Sequence, residues 1–357
     1  MNKIPPARED LDVLEGYHSP QLDVPVRLNT NEAPFRLPDA FIEDLASEIK
    51  KLDLNRYPSR SASELCASIA ARELLKESEV FVANGSNEII QSICLAYGGN
   101  ERSALVFEPT YAMHSQIAKV AGTRVIEGFR DEEFHIDKDA ALEIINREKP
   151  EIVFLCSPNN PTGNIETPEL IDAILSELNS TGGLLILDEA YKEFSEISSD
   201  LTVKDESNLA FIRTFSKVWS LAGIRLGYLL APEWCINKMQ AVSLPYHLDS
   251  VKQKVGVLAL KYDKEIIQKV AELKEERRRV FEALRSMPVW VWPSEANFLL
   301  FKPETIDAYK LWEGLLEEGI LVRDCSTWEG LEGCLRVTIG SESENNSFLT
   351  AVRKIVK

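Results

Sequence analysis

From residue 79 to residue 214, short apolar runs rich in β-branched residues alternate with stretches of helical spacing, and this alternation restricts the fold more than any other feature. Ile152-Val-Phe-Leu-Cys156 has the composition and length of a buried strand, and Pro168 to Leu178 has the apolar spacing of a helix. Strands that alternate with helices form a mostly parallel sheet with helices on both faces. We therefore predict an α/β fold built around such a sheet.

The pattern changes after residue 250. Val251 to about Ser286 predicts one long charged helix, and the shorter strands and helices that follow predict a smaller α+β domain. We place the domain boundary near residue 250. Residues 31–250 are then the large domain, residues 1–30 an N-terminal arm, and residues 251–357 the small domain.

The excess of acidic residues argues against a nucleic-acid partner. Asp plus Glu number 57 against 40 for Lys plus Arg, a formal net charge of −17, and no basic patch offsets the repulsion of phosphate backbones. Apolar runs such as Gly183 to Leu187 are shorter than the roughly 18 residues of a membrane span. The opening MNKIPPARED lacks the apolar segment of a signal peptide, so we expect a soluble, cytoplasmic protein without a membrane partner.

The spacing of cysteines and histidines predicts no metal site. The six cysteines include no C-x-x-C pair, and the four histidines include no H-x-x-x-H pair. We interpret the cysteines as small buried apolar residues in a reducing compartment.

Polar residues follow several predicted strands, at the edge of the sheet where α/β proteins bind ligands. In chain order they are Gly85-Ser86-Asn87, Asn159, Asp188, Ser216-Lys217 and Arg225. Taken singly, each has a structural explanation, such as a helix cap, a surface lysine or an ion pair. Their occurrence together at successive strand ends favours a shared site.

The chemistry of these residue types fits one cofactor. A helix that begins with small residues binds a phosphate, and an arginine adds charge-assisted hydrogen bonds. A lysine in a desolvated site has a lowered pKa and can form a Schiff base with an aldehyde. A carboxylate that faces a pyridine nitrogen keeps that nitrogen protonated. Phosphate, aldehyde and pyridine together indicate pyridoxal 5′-phosphate.

Several longer motifs resemble those of the fold-type I pyridoxal-phosphate aminotransferases and, within them, the histidinol-phosphate aminotransferase family. They occur in family order over nearly the whole chain: Leu28-Asn-Thr-Asn-Glu32, Arg56-Tyr-Pro58, Ala83-Asn-Gly-Ser-Asn-Glu88, Glu108-Pro-Thr-Tyr111, Ser157-Pro-Asn-Asn-Pro-Thr-Gly163, Asp188-Glu-Ala-Tyr191, Thr214-Phe-Ser-Lys217, Leu221-Ala-Gly-Ile-Arg-Leu-Gly-Tyr228 and Leu335-Arg-Val-Thr-Ile-Gly340. The resemblance implies a large domain with a mostly parallel seven-stranded sheet covered by helices, and a smaller α+β domain.

The resemblance also implies a role for each matching residue. Lys217 would hold the cofactor covalently and act as the base and acid of the proton transfer, and Asp188 would pair with the pyridine nitrogen. Asn159 and Tyr191 would bind the ring oxygen of the cofactor, and Tyr111 would stack on the ring face. The cofactor phosphate would be bound by Gly85, Ser86, Asn87, Ser216 and Arg225, and by Tyr57 of the other subunit. The substrate would be bound by Arg336, assisted by Arg323 and Tyr17, with Asn159. Because Tyr57 would act across a subunit interface, the resemblance implies a homodimer with shared active sites.

The implied reaction is reversible transamination in histidine biosynthesis. Imidazole-acetol phosphate and glutamate would give L-histidinol phosphate and 2-oxoglutarate. An aromatic amino acid aminotransferase shares almost every motif, and an L-threonine-phosphate decarboxylase shares the scaffold. A regulator with this fold would carry a DNA-binding module before the aminotransferase-like part, and only about thirty residues precede Asn31.

Overall fold

The computed structural model of the chain describes Pro5, Arg8, residues 20–197 and residues 201–357. Its strands are β1 (Val26–Leu28), β2 (Val80–Ala83), β3 (Ser103–Glu108), β4 (Arg124–Phe129), β5 (Ile152–Cys156), β6 (Leu184–Asp188), β7 (Leu209–Thr214), β8 (Gly227–Leu230), β9 (Val289–Val291), β10 (Phe298–Pro303), β11 (Ile320–Asp324) and β12 (Leu335–Thr338). Its α-helices are α1 (Asp39–Ile49), α2 (Ser63–Glu73), α3 (Ser86–Tyr97), α4 (Met113–Val120), α5 (Lys138–Glu148), α6 (Pro168–Thr181), α7 (Glu233–Val242), α8 (Ser250–Lys261), α9 (Asp263–Arg285), α10 (Ala308–Glu317) and α11 (Glu342–Ile355).

The large sheet has seven strands in the order β2-β8-β7-β6-β5-β3-β4. Every neighbouring pair is parallel except the two that β8 makes, with β2 and with β7. The predicted α/β fold with a mostly parallel seven-stranded sheet is therefore confirmed. Because β8 runs opposite to the others, β2, β3, β5, β6 and β7 all end at the same edge of the sheet.

The central strands are apolar throughout because helices cover both faces of the sheet. Every residue of β5 and of β6 is buried, including the polar Asp188 at the end of β6. In the helix between them, α6, local residues set where the helix begins and ends. Thr167 caps the start of α6 by accepting a hydrogen bond from the Leu170 amide, and Gly182 ends it at φ +89°.

The smaller sheet combines the two ends of the chain. Its order is β1-β11-β12-β10-β9, and β1, from the predicted N-terminal arm, pairs in parallel with β11. All five strands thus come from residues before 31 or after 250. Helix α8, however, packs against α1 and α2 rather than against this sheet.

Two features differ from the sequence-based expectations. The single helix expected from Val251 to about Ser286 is two helices, α8 and α9, separated at Tyr262. The antiparallel strand β8 was not predicted, since its four residues are all buried and show no alternation. No helix in the described ranges has the length and apolarity to cross a bilayer.

Candidate active site

A cavity of about 490 Å³ opens where the strands of the large sheet end and the smaller sheet lies against them. It is bordered by residues of both sheets and of the N-terminal segment: Thr30, Asn31, Ser86, Asn87, Thr110, Tyr111, Ala112, Cys156, Asn160, Asp188, Ala190, Tyr191, Thr214, Ser216, Lys217, Arg225, Arg323, Trp328 and Arg336. The predicted residues from successive strand ends are therefore brought together, with the exceptions described below.

Lys217 follows β7, and its amine lies within the cavity. Its Nζ donates a hydrogen bond to the Thr30 carbonyl oxygen at 3.0 Å. Burial lowers the pKa of Lys217 to about 7, and the positive charges of Arg336 and Arg225 act in the same direction, against the opposing effect of Glu32. A substantial fraction of this amine is therefore neutral and nucleophilic near pH 7.

The carboxylate of Asp188 is held by two donors at the end of β6. Its Oδ2 lies 3.0 Å from His114 Nε2, and its Oδ1 accepts a hydrogen bond from the Ala190 amide at 3.1 Å. His114 is fully buried and stacks on Phe154, with ring centroids 4.7 Å apart and an interplanar angle of 6°. Asp188 therefore presents a fixed carboxylate to the cavity.

The start of α3 and Arg225 together form an anion-binding cradle. Gly85 has φ +86°, and no side chain caps the helix that begins at Ser86. Arg225 lies beside this turn, with Nη1 3.4 Å from Ser216 Oγ. A Cβ at Gly85 would lie 2.8 Å from Arg225 Nη2, so only glycine lets the arginine approach so closely. Helix N–H groups, a hydroxyl and a guanidinium together suit a phosphate.

Two tyrosines border the cavity with their hydroxyl groups already engaged. The Tyr111 hydroxyl donates to Asn87 Oδ1 at 3.1 Å, and its ring meets that of His114 edge-on. The Tyr191 hydroxyl accepts a hydrogen bond from Asn31 Nδ2 at 3.0 Å. Burial raises the pKa of Tyr191, so this hydroxyl remains protonated at neutral pH.

Arg336, on β12, is buried and only partly satisfied. It donates to the Asn29 carbonyl oxygen at 2.9 Å and to Asn160 Oδ1. Its Nε is buried and has no hydrogen-bond partner among the described residues. Such an orphaned donor on a buried guanidinium is suited to an anionic group that enters the cavity.

Asn159, which was predicted to face the ligand, does not border the cavity, whereas its neighbour Asn160 does. Asn159 Oδ1 accepts from Thr110 Oγ1 at 2.7 Å, and its Nδ2 donates to the Pro109 carbonyl oxygen and to Thr162 Oγ1. These bonds occupy the Asn159 amide in the loop after β5. Asn160, in contrast, borders the cavity. Both asparagines lie in the same motif, and sequence spacing alone did not separate them.

Gly85 and Tyr57 were also predicted for the site, and neither is among the described residues that border this cavity. Tyr57 is 80% exposed and stacks on Tyr246, with ring centroids 4.5 Å apart. Tyr17 lies outside the described residues. Several residues that border the cavity had not been predicted for it, among them Thr30, Asn160 and Trp328, and Trp328 lies outside every motif that indicated the site.

The cavity fits the predicted cofactor. It combines an anion cradle, an amine of lowered pKa and a fixed carboxylate, which match the phosphate, aldehyde and pyridine nitrogen of pyridoxal 5′-phosphate. The buried guanidinium of Arg336 adds a further positive charge to the wall of this cavity. In the ranges that the structure describes, no three His, Cys, Asp or Glu side chains are placed to hold a metal ion.

Comparisons with known proteins agree with this geometry. The family model for aminotransferase class I and II matches residues 24–352. The histidinol-phosphate aminotransferase of Corynebacterium diphtheriae is 40% identical over 363 residues, which cover 99% of this chain and 97% of that relative. The histidinol-phosphate aminotransferase from Clostridium acetobutylicum aligns with a TM-score of 0.86 and 28% identity, covering 93% of this chain and 99% of that chain. The Sinorhizobium meliloti enzyme of that name, solved in complex with pyridoxal 5′-phosphate, has the same fold, with a TM-score of 0.89 at 19% identity over 99% of this chain and 98% of that chain.

Proposed function

The chain belongs to the class I and II aminotransferase family, and on that premise we propose that it is a pyridoxal-phosphate-dependent histidinol-phosphate aminotransferase. Its reaction is the reversible conversion of imidazole-acetol phosphate and glutamate into L-histidinol phosphate and 2-oxoglutarate. The observation that carries the proposal is the buried Lys217 amine, with its pKa of about 7, in one cavity with Asp188 and two arginines. The substrate assignment is supported by the relative that is 40% identical over nearly the full length of both chains.

The cofactor-binding residues follow from the contacts of the cavity. The α3 amides at Ser86 and Asn87, with Ser216 and Arg225, hold the phosphate against Gly85. Asp188, oriented by His114, faces the pyridine nitrogen. When bound, pyridoxal phosphate draws electron density from the substrate Cα and so makes the Cα proton removable.

The ring oxygen is assigned to Asn160 and Tyr191, and the ring face to Tyr111. Asn160 replaces Asn159 in this assignment because it borders the cavity and Asn159 does not. The Tyr191 hydroxyl accepts from Asn31, so its own proton is available for a ring oxygen. Tyr111 is held by Asn87 on one side and His114 on the other, which fixes the orientation of its ring.

Lys217 moves the proton. Its Nζ would hold the cofactor through the aldehyde group, and the neutral amine, when it is free of the cofactor, would take the proton from the substrate Cα and deliver it to the cofactor. The Thr30 carbonyl oxygen, 3.0 Å from Nζ, keeps the amine within the cavity during these steps. Burial among the side chains of the cavity is the main reason that the pKa of this lysine is low.

Arg336 binds the anionic end of the substrate. In L-histidinol phosphate this group is the phosphate, and in glutamate it is the α-carboxylate, so one guanidinium serves both half-reactions. Its guanidinium already donates to the Asn29 carbonyl oxygen and to Asn160 Oδ1, which fix its position. Arg323, which pairs with Arg336 from the adjacent strand β11, and Tyr17 remain substrate-binding residues in the proposal.

A homodimer with shared sites completes the proposal. Leu54, Tyr57, Leu244 and Tyr246 are all large apolar or aromatic residues with exposed side chains, and the two tyrosines stack on each other. An exposed apolar patch of this kind suits a subunit interface, from which Tyr57 would reach the partner's cofactor phosphate. We place the enzyme in the cytoplasm, since all six cysteines are buried and form no disulfide.

The absorbance of the purified protein tests cofactor and substrate together. Pyridoxal phosphate is added, and the visible band of the bound cofactor is followed after addition of L-histidinol phosphate without any keto acid. We expect loss of the band and a stoichiometric amount of pyridoxamine phosphate. Lys217→Ala is the control and should form no such band and show no turnover.

Other outcomes of the same measurement would redirect the proposal. If phenylalanine removes the band and histidinol phosphate does not, the protein is an aromatic amino acid aminotransferase. Release of carbon dioxide from O-phospho-L-threonine would identify a decarboxylase. A wild-type protein that forms no band with pyridoxal phosphate would contradict the cofactor assignment itself.

A further inference from the structure

Of the aromatic side chains known to border the cavity, two are assigned to cofactor binding and one has no assigned role. Among the described residues that border the cavity, the aromatic ones are Tyr111, Tyr191 and Trp328. The proposed function assigns both tyrosines to the cofactor, and their hydroxyl groups already bond to Asn87 and Asn31. Trp328 has no such assignment and lies in the small domain, on the loop between β11 and β12.

Trp328 is paired with one of the two arginines expected to bind substrate. The Arg323 guanidinium carbon lies 5.2 Å from the centre of the Trp328 ring, within the range of a cation–π contact. Both side chains border the cavity. A flat apolar surface and a positive charge therefore lie side by side at one place in its wall.

The loop that carries Trp328 is fixed by its own backbone. The Trp328 amide donates to the Cys325 carbonyl oxygen at 2.9 Å, and the Leu331 amide donates to that of Trp328 at 3.0 Å. The Cys325 amide closes the base of the loop by donating to the Cys334 carbonyl oxygen. The tryptophan is thus preorganised, which limits the entropy lost when it binds a ligand.

The same loop lies against the segment that carries Tyr111. A Cβ at Gly330 would be 3.4 Å from Pro109 Cδ, so the two segments are in van der Waals contact. Pro109 is two residues before Tyr111, whose ring the proposed function places against the cofactor. The loop of Trp328 therefore lies next to the segment that carries Tyr111, and both residues border the cavity.

We propose that Trp328 determines specificity for the amino donor: its ring receives the imidazole of histidinol phosphate, and Arg323 beside it receives the distal carboxylate of glutamate. This inference rests on the proposed function. The two donors share an anionic group for Arg336 and differ in their side chains, one a flat heteroaromatic ring and the other a carboxylate. The Trp328 ring can stack on the imidazole, and the Arg323 guanidinium can bind the carboxylate, so neither residue has to move when the donor changes.

Measurement of the two half-reactions separately tests this assignment. The holoenzyme is mixed with L-histidinol phosphate or with L-glutamate, and the rate of the cofactor absorbance change is recorded against donor concentration. For Trp328→Leu we expect the apparent Kd for histidinol phosphate to rise about tenfold and that for glutamate by less than about threefold. Trp328→Phe keeps an aromatic face and should recover most of the affinity that Trp328→Leu loses. Arg323→Gln should weaken the binding of glutamate more than that of histidinol phosphate.

A matched tryptophan variant controls for loss of packing. Trp290 on β9 is 52% exposed and does not border this cavity, so Trp290→Leu should leave both half-reactions unchanged. If Trp328→Leu weakens both donors equally, or neither, the inference is overturned. If the wild-type enzyme reacts with glutamate but not with histidinol phosphate, the substrate given under the proposed function is wrong. This result comes from the wild-type protein alone and is therefore distinct from a failure of the Trp328 assignment.

Discussion

His114 Nε2 lies 3.0 Å from Asp188 Oδ2, and both side chains are buried. The imidazole is also stacked on Phe154, so its orientation is fixed independently of the hydrogen bond. Its Nδ1 has no hydrogen-bond partner in the part of the chain that the structure describes. His114 therefore acts as a positioning residue for the carboxylate that faces the pyridine nitrogen in the proposed site.

Replacement of His114 by phenylalanine should weaken cofactor binding. The variant keeps the stacking on Phe154 but removes one of the two donors to Asp188. A hydrogen bond to a charged group contributes about 1.5–3 kcal/mol, so we expect the Kd of pyridoxal phosphate to rise at least tenfold. Titration of the apoprotein measures this, with His135→Phe as the control because His135 is exposed. Equal affinities for the His114 variant and the wild type would rule out the positioning role.

The rate of cofactor attachment should depend on pH with a midpoint near 7. Only the neutral amine of Lys217 attacks an aldehyde, and its pKa is lowered to about 7 by burial and by the nearby arginines. We expect the rate at which the visible band appears to rise between pH 6 and 8 and then to level off. A rate that keeps rising toward pH 10 would show that this lysine is not desolvated.

The same lysine should destabilise the apoprotein at low pH. Its folded-state pKa of about 7 is below the ordinary value of 10.5, so the unfolded chain binds more protons between these values and stability increases with pH across that window. Lys217→Met removes the effect. The free energy of unfolding of the variant should exceed that of the wild type most at or below pH 7, and the difference should shrink as the pH approaches 10.5.

Gly85→Ala should impair phosphate binding, whereas a matched glycine variant should not. Gly85 and Gly182 have nearly the same positive φ, +86° and +89°. An added Cβ at Gly85 would lie 2.8 Å from Arg225 Nη2, but at Gly182 nothing lies within 4 Å. Gly182→Ala, at ψ 14°, should lose about 1 kcal/mol of stability from backbone strain, and Gly85→Ala, at ψ 171°, should lose more; only Gly85→Ala should also raise the Kd of pyridoxal phosphate, by about tenfold. The same Kd for both variants would contradict the cradle.

The two adjacent asparagines should respond differently to replacement by alanine. Asn159→Ala removes three buried hydrogen bonds within the loop, so we expect a lower melting temperature. Asn160→Ala removes a cavity residue and a partner of Arg336, so we expect kcat/KM to fall at least tenfold with a smaller change in melting temperature. Thermal unfolding and steady-state kinetics on both variants measure the two effects. The opposite pattern would return the ligand-binding role to Asn159.

Mixed dimers should reveal whether Tyr57 acts across an interface. Lys217→Ala and Tyr57→Ala subunits would each form impaired homodimers, but a hybrid dimer would contain one site with both residues intact. Random exchange of subunits should restore about a quarter of wild-type activity. The measurement is activity after co-refolding or co-expression of the two variants. No recovery in a mixture shown to contain hybrids would mean that Tyr57 does not serve the partner's site.

Much of the fold and the site could be predicted because local rules apply to them. The apolar runs of β5 and β6 indicated buried parallel strands, and in such a sheet the residues after each strand converge at one edge. Asp188, Lys217 and Arg225 were identified on that basis, and all three border the cavity. Strand β8 was missed because four consecutive buried residues have no period that distinguishes a strand.

What the sequence by itself determined was which residue types follow which strands, and hence the chemistry available at the sheet edge. Only the tertiary structure decided which side chains enter the cavity, because that depends on contacts between distant parts of the chain. Asn31, for example, is fixed by bonds to Thr338, 307 residues away, and Trp328 meets the cavity only through the small-domain loop that carries it. Burial is likewise a property of the assembled fold, and burial is the main reason that the pKa of Lys217 is low enough for its amine to react.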